Sequence, residues 1–350
     1  MENLTREEVI RVIEGKGAAS RLPLYHDMWI HDILFDDDPA KREAWLSRYP
    51  QDINDIYINS PGRTRGPGED PDFFWACPGT VDKQTGGLDA RALIPDWEDE
   101  AAVEEFYRTF PNPDSPAVFL EHKPRDGRYV LGRWWYTFFE RHWELRGMEN
   151  ALTDYYLYPE QVHRLFAALA KYYMRVMERA KEALQVDGFF ISDDIGTQTA
   201  PFFSLEIFRE FFKPYYKMLI DKAHSLGAHV WLHACGNVQL FLPDFIEIGL
   251  DVIHPIQKNT MDEQEIARQF GGQICILSGV DVQYLFAFGT PEEVDQEMEY
   301  LIKTFARPDG RLMLTMGNGS TVDWKIENLD AMYRASLDYG TRYAAGFTEE

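Results

Sequence analysis

Three cysteines in 350 residues, Cys77, Cys235 and Cys275, are too few and too widely spaced for a disulfide framework. A reducing compartment is the expectation. Basic residues are scarce as well: 35 Lys and Arg stand against 58 Asp and Glu, a formal net charge of −23. A surface of that sign repels nucleic acid and anionic membranes and attracts polyanionic substrates poorly. The chain has no run of about 18 apolar residues, so no membrane-spanning helix is predicted. It opens without the basic and apolar regions of a signal peptide. Thr5-Arg6-Glu7-Glu8 reads instead as a helix capping box. Internal repeats and low-complexity tracts are also missing. These absences predict a cytoplasmic protein with neither a nucleic-acid nor a membrane partner.

What the chain does have is apolar mass. Hydrophobic residues make up 45% and aromatics 14%, enough for a large core. Eight short apolar or β-branched runs read as strands: Leu22–Asp27, Ile53–Ile58, Tyr129–Arg133, Asp187–Ser192, Ala228–His233, Asp251–Pro255, Gln273–Gly279 and Leu312–Met316. Helical patterns separate the later ones. Pro159–Leu184 carries Val162, Leu165, Phe166, Leu169 and Tyr173 on one stripe. Ser204 caps a helix over Leu205–Leu226 that stops at Gly227. Helices are also predicted over Gln239–Ile248, Pro291–Phe305 and Asn328–Tyr339, the last ending before Gly340. Alternating strands and helices imply a parallel sheet, and eight units imply a (β/α)8 TIM barrel, an α/β fold, as a single domain over residues 1–350. Residues 59–123, rich in Pro, Gly and Asp with Trp75 and Trp97 embedded, read as a long insertion between the second and third strands that folds over the barrel mouth.

In such barrels the site is built from residues just after each strand. Those positions hold His26 and Asp27, Asn59, Arg133 and Trp134, Asp193 and Asp194, His233 and Cys235, Gln257, Asp281 and Gln283, and Asn318. Asp193 and Asp194 are the candidate acid, base or histidine-orienting pair, with one of them expected to cap the following turn. His26, Arg133, Gln198, Gln257, Asp281 and Asn318 are the candidate substrate contacts. Of the aromatics crowding the third strand's end (Trp134, Trp135, Tyr136, Phe138, Phe139, Trp143), most are expected in the core and one or two in a pocket. The other histidines, His254 among them, read as structural or surface residues.

The sharpest feature is His233-Ala234-Cys235-Gly236-Asn237. Side chains at i and i+2 of a strand point the same way, so His233 and Cys235 face one cavity, and Gly236 lets the chain turn at once. The pair is half of a metal site, and catalytic zinc takes three protein ligands plus an open position. Cys275 lies four residues before Gly279, about 13 Å below the mouth at roughly 3.3 Å per residue, and reads as a buried hydrophobe. Cys77 lies in the insertion. Asp194 or another carboxylate remains for the third place.

Leu232-His233-Ala234-Cys235-Gly236-Asn237-Val238, Leu242-Pro243-Asp244-Phe245-Ile246-Glu247-Ile248-Gly249-Leu250-Asp251, His254-Pro255-Ile256-Gln257, Ser278-Gly279-Val280-Asp281-Val282-Gln283, Gly289-Thr290-Pro291-Glu292-Glu293-Val294 and Glu327-Asn328 resemble the uroporphyrinogen decarboxylase superfamily. The resemblance is good from about Phe189 to Gly340 and covers the N-terminal half only in general layout. It implies a (β/α)8 barrel. True decarboxylases of the superfamily carry an Arg-Gln-Ala-Gly-Arg-Tyr segment, where this chain reads Leu24-Tyr25-His26-Asp27-Met28-Trp29. Without an arginine pair, the bidentate grip on a tetrapyrrole's carboxylates is lost. The cobalamin-dependent methyltransferases of the same superfamily hold zinc with a His-x-Cys pair and a later Cys. Here His233 and Cys235 match the pair, and Met316-Gly317-Asn318-Gly319-Ser320 stands where the later Cys would be. The resemblance thus implies methyl transfer between a small methylated donor and a corrinoid protein, with zinc on His233 and Cys235. The alternatives are a decarboxylase or lyase on another substrate, or a binding barrel whose ligands have decayed. A homodimer is expected of barrels of this kind.

Overall fold

The structure is a computed structural model and describes residues 2–61, 72–75, 93–94, 96–119 and 125–348. Seven parallel strands follow one another around a curled sheet in chain order: β1 (Ile53–Tyr57), β2 (Tyr129–Trp134), β3 (Gly188–Ser192), β4 (His229–His233), β5 (Val252–His254), β6 (Cys275–Val280) and β7 (Leu312–Met316). They fall within a residue or two of seven of the eight predicted runs. The eighth, Leu22–Asp27, forms no full strand. It makes a single parallel bridge, Leu24 to Leu314, flanked by the Tyr25 amide on the Leu314 carbonyl and the Leu314 amide on the Pro23 carbonyl. Its other edge is held by side chains of β1 and the residue before it. Asp52, fully buried, accepts from the amides of Leu4 and Leu24 and from both Nη atoms of Arg21. The Tyr25 hydroxyl donates to Asp55 at 2.7 Å. A buried carboxylate with this many donors substitutes for the missing ladder. The fold is that of a TIM barrel, closed on this side by side-chain bonds.

Helices cover the outside. Pro159–Leu184 (α6) and Pro291–Phe305 (α11) have the predicted bounds. The Thr5 capping box opens Arg6–Ile13 (α1), as read from the sequence. The Leu205–Leu226 prediction resolves into Leu205–Ile207, a π-helical turn over Phe208–Phe212, and Lys213–Ser225. The C-terminal helix, Ile326–Thr348 (α12), runs through Gly340 instead of stopping there. That glycine is a contact residue: a Cβ on it would lie 3.3 Å from the Leu22 side chain, so its absence lets α12 approach the N-terminal segment.

The described parts of the 59–123 insertion pack on the outside of the barrel. Trp75 is fully buried against Phe106 and Phe110, next to helix Glu100–Arg108 (α3). Trp97 donates to Asp154 of helix Met148–Leu157 (α5) at 2.8 Å. Cys77 and the segments 62–71, 76–92 and 120–124 lie outside the described residues, and with them the expectation that the insertion covers the mouth.

Period-2 alternation sorts the strand residues into a lumen and an outer layer. Phe190 of β3 and Trp231 of β4 meet Tyr25 at centroid distances of about 6 Å in the lumen. These rings fill the barrel beneath its mouth, each burial stabilising by roughly 1.5–3 kcal/mol. Phe189, of the other parity, packs outward on Trp134, which stacks on Tyr173 of α6. The same alternation carries Ser192 and Asp194, and His233 and Cys235, to the lumen side at the C-terminal ends. Cys275, the first residue of β6, is fully buried, as its distance from the mouth requires.

Candidate metal centre

The strand register brings Ser192, His233 and His254 side by side across β3, β4 and β5. Two residues beyond His233, Cys235 stands on the same side, and its sulfur lies 3.4 Å from His233 Nε2. Asp194 Oδ1 lies 3.5 Å from that nitrogen and accepts the Cys235 backbone N–H at 2.7 Å. Ligand atoms of Asp194, His233 and Cys235 all fall within 4.8 Å of one another. A tetrahedrally bound ion with bonds of roughly 2.0–2.3 Å separates its ligand atoms by about 3.3–3.7 Å. The donor types and both nitrogen-centred distances fit that shape.

The turn after Cys235 is built to hold it. Gly236 adopts φ +84°, and a Cβ there would meet the Gly196 carbonyl at 2.5 Å. Its amide donates to Gln257 Oε1 at 2.5 Å. The loop after β7 reaches the same sulfur, since Asn318 Nδ2 lies 3.6 Å from Cys235 Sγ. The segment without the later cysteine therefore still arrives at the site, carrying a weak hydrogen-bond donor in place of a ligand.

Charge is set by burial. Burial lowers the His233 pKa, against the pull of Asp194, so the ring is neutral and its lone pair is free. Burial raises the Cys235 thiol well above its ordinary value, and Asp194 and Glu140 push it the same way. A cation between the three groups would reverse that and favour the thiolate. Burial also raises Glu140 far above the usual carboxylate range, helped by Asp194 and Asp193, while Ser192 Oγ donates to Glu140 Oε2 at 2.5 Å. Burial thus favours the acid form of Glu140 at the mouth.

The triad sits on the wall between two cavities. One, about 400 Å3, is lined by Met28, Trp29, Trp135 and Tyr136 together with Arg133, Glu140, Asp194 and His233. The other, about 550 Å3, is lined by Cys235, Gln257, Lys258, Asp281, Gln283 and Trp324 among others. Asn318 and Gly319 border both.

Most of the sequence-predicted residues are here. Asp194, His233 and Cys235 form the triad; Gln257, Asp281 and Asn318 line the polar cavity. Asp281 Oδ1 also accepts from the amides of Gln283 and Tyr284. Arg133 lines the aromatic cavity, its Nε on both oxygens of Asp55 and its guanidinium over Tyr57 and Trp135. Of the aromatic cluster, Trp135 and Tyr136 reach the pocket. Three residues are placed elsewhere. Asp193 has the opposite parity to Asp194 and is fully buried behind the strand, where it accepts from the amides of Phe138, Phe139 and Glu140 and from Tyr216. It caps helix Phe139–Arg146 (α4), and burial, opposed by those bonds, lifts its pKa to about 6. His26 is buried, with Nε2 3.3 Å from Ser336 of α12 and its ring edge-on to Tyr333, because its neighbour Tyr25 takes the lumen side and His26 therefore faces the outer helix. Gln198 is exposed in the loop after Asp194 and lines neither cavity.

The sequence reading missed Glu140, Trp29 and His254. Glu140 is the second residue of a helix, six residues beyond the end of β2. Trp29 closes a 3-10 turn (Asp27–Trp29), stacks on His254 at 5.1 Å and lies tilted against His233 at 5.4 Å. His254 was legible as the last residue of a strand next to the one ending at His233, had the register been drawn.

The fold and the site together define a TIM-type barrel with a metal-competent His-Cys-Asp triad at its C-terminal mouth. Residues 144–339, more than half of the chain, match the uroporphyrinogen decarboxylase (URO-D) family model, and the protein belongs to that family. No curated protein matches the sequence. Among solved structures the chain is similar to a methyltransferase from Methanosarcina mazei, at 16% identity and a TM-score of 0.51, over 61% of this chain and 60% of that one. The likeness therefore spans less than two thirds of the methyltransferase and is one of fold. Weaker similarity extends to a glycoside hydrolase family 10 xylanase from Gloeophyllum trabeum (10% identity, TM-score 0.39, 60% of this chain and 76% of that one). A dihydropteroate synthase from Anaplasma phagocytophilum is also similar (16%, 0.32, 48% and 65%). No helix among the described residues is long and apolar enough to cross a membrane.

Proposed function

We propose that the protein transfers a methyl group between a small methylated donor and a corrinoid protein, with zinc held by His233, Cys235 and Asp194. The observation that carries this reading is the triad. A neutral imidazole, a thiol and a carboxylate converge within 4.8 Å at the mouth of a URO-D-family barrel. Nitrogen, sulfur and oxygen in that number suit zinc with one position left open. When bound there, the ion would act as a Lewis acid on the donor's oxygen, nitrogen or sulfur.

The chain's own residues supply the rest. Trp29, Trp135 and Tyr136 give the donor an apolar, water-excluding seat beside the triad, and Arg133, braced by Asp55, fixes its orientation. The methyl group would leave without the bonding electron pair, which would stay on the donor heteroatom, and a reduced corrinoid on the partner protein would supply the pair for the new bond. The heteroatom then takes a proton. Glu140, in the same cavity and with its acid form favoured by burial, is placed to give it.

Glu140 also favours a second reading, a decarboxylase or lyase in which a carboxylic acid protonates the carbanion left by a departing carboxylate. Two measurements separate the readings. Elemental analysis is expected to find about one zinc per chain, lost in Cys235→Ala. Reduced corrinoid is expected to be methylated, by its visible spectrum, with a methoxylated aromatic, a methylamine or a methyl thioether. Metal-free protein that releases carbon dioxide from an acid substrate would overturn methyl transfer and support the second.

A further inference from the structure

We infer that His254 is a positioning residue that fixes the His233 ring in the tautomer whose bare Nε2 faces Asp194 and Cys235. The inference deepens the metal reading and rests on it for its purpose, though not for its geometry.

The argument is a chain of donors and acceptors with one solution. His254 Nε2 lies 2.8 Å from the Met316 carbonyl oxygen. A carbonyl oxygen only accepts, so this nitrogen carries the proton. His254 is fully buried, and its hydrogen-bond partners are a carbonyl and an imidazole, with no carboxylate among them to balance a second proton, so the ring has a single N–H. Its Nδ1 is therefore bare. That Nδ1 lies 2.8 Å from His233 Nδ1. Two bare nitrogens, or two N–H groups, would repel at this distance. His233 Nδ1 must donate, and the neutral ring with its proton at that position presents the Nε2 lone pair to the triad.

The surroundings hold both rings in that plane. Trp29 stacks on His254 at an interplanar angle of 23° and lies tilted against His233 at 37°. Phe190 meets both edge-on from the barrel interior, at 76° and 83°. A flipped His254 would cost the Met316 carbonyl its imidazole donor, and a flipped His233 would withdraw its Nδ1 from His254. The register His233↔His254 explains why this pair meets: neighbouring parallel strands set the two residues side by side on the lumen face. The chain ends on a carbonyl, which cannot pass a proton on, so the arrangement orients a ligand and does not relay protons. Partners that fix the tautomer of a metal-ligating histidine typically account for a 10–100-fold factor in metal affinity.

The test uses metal-free protein first. With 15N-labelled histidine, NMR is expected to show His233 protonated at Nδ1 and bare at Nε2, and His254 the reverse, the signals being assigned with His233→Asn and His254→Asn. His254→Phe keeps ring volume and stacking but removes the acceptor. In that variant the Nδ1–H preference of His233 is expected to vanish and the Kd for Zn2+ or Co2+ to rise about 10–100-fold. His254→Asn, which puts a carbonyl oxygen near the place of Nδ1, is expected to recover most of the affinity. A His233 ring protonated at Nε2 in the native protein overturns the inference, as does a His254→Phe variant with unchanged tautomer and affinity. Failure of the native protein to bind Zn2+ or Co2+ would sink the metal reading alone, since the tautomer is still read from the metal-free spectrum.

Discussion

Asp193 and Asp194 are adjacent in the chain, and their carboxylates sit on opposite faces of the ribbon leaving β3. Asp193 accepts four hydrogen bonds in the outer layer, while Asp194, with about 40% of its side chain exposed, meets His233 and Cys235 at the mouth. Substitution should separate stability from metal binding. Asp193→Ala leaves three buried amides and the Tyr216 hydroxyl without an acceptor, and is expected to destabilise by about 3 kcal/mol or more. Asp194→Ala is expected to cost about 1 kcal/mol or less in stability and to abolish stoichiometric zinc binding. Denaturant unfolding and metal titration of both variants check the split. Equal losses of stability would show that Asp194 is a structural residue too.

This pair also marks how far the sequence reading reached. The strand ends were legible because β-branched and aromatic runs stop at Gly, Asp or Asn, and because His233 and Cys235 share parity whatever the register. Which aspartate faces inward depends on which of Phe189 and Phe190 lies in the lumen, and both are equally apolar. His26 was misplaced because its neighbour Tyr25 takes the lumen side and His26 therefore faces the outer helix. His254 acquires its role only from the β4–β5 register. Glu140 reaches the mouth because Asp193 caps the helix that Glu140 belongs to, a tertiary contact with no local signal.

The turn that presents Cys235 depends on a glycine at each of two touching loops. Gly236 has φ +84°, and its missing Cβ leaves room for Gly196, whose own Cβ would meet the Asn237 amide nitrogen at 2.8 Å. Gly236→Ala adds left-handed strain and a backbone clash at once. It is expected to destabilise by about 2 kcal/mol or more and to displace the sulfur, weakening zinc binding at least tenfold. Thermal unfolding and chelator competition measure the two effects. A variant unchanged in both would mean that the turn is looser than its geometry implies.

Acid sensitivity is expected from Asp154. It accepts from Arg146 at 2.8 and 2.9 Å, from His142 Nε2 at 3.1 Å and from the Trp97 indole at 2.8 Å. Burial raises its pKa, but these donors outweigh it and bring the group down to about 2. An unfolded aspartate titrates near 3.9. The folded pKa lies below the unfolded one, so this stabilisation is complete above about pH 4 and is lost as pH falls toward 2. Urea midpoints between pH 6 and 2 should fall through that window, and Asp154→Asn should start lower and change less. An identical acid limb in the variant would remove Asp154 from the account.

Asn318 offers a gain-of-function test of the whole site. It lies in the loop after β7, and its Nδ2 already lies 3.6 Å from Cys235 Sγ. Two sulfurs bound to one tetrahedral ion sit about 3.7 Å apart, from bonds of roughly 2.3 Å. The loop therefore needs only a small shift to deliver a thiolate. Asn318→Cys is expected to raise zinc affinity by at least tenfold and, in the Co2+-substituted protein, to intensify the sulfur-to-metal charge-transfer band. Asp194→Ala, damaging in the native background, should then be tolerated, because His233, Cys235 and the new sulfur complete a three-ligand set. If Asn318→Cys instead forms a disulfide with Cys235 and excludes metal even under reducing conditions, the three donors do not enclose an ion-sized space, and the triad would be a hydrogen-bonded cluster rather than a metal site.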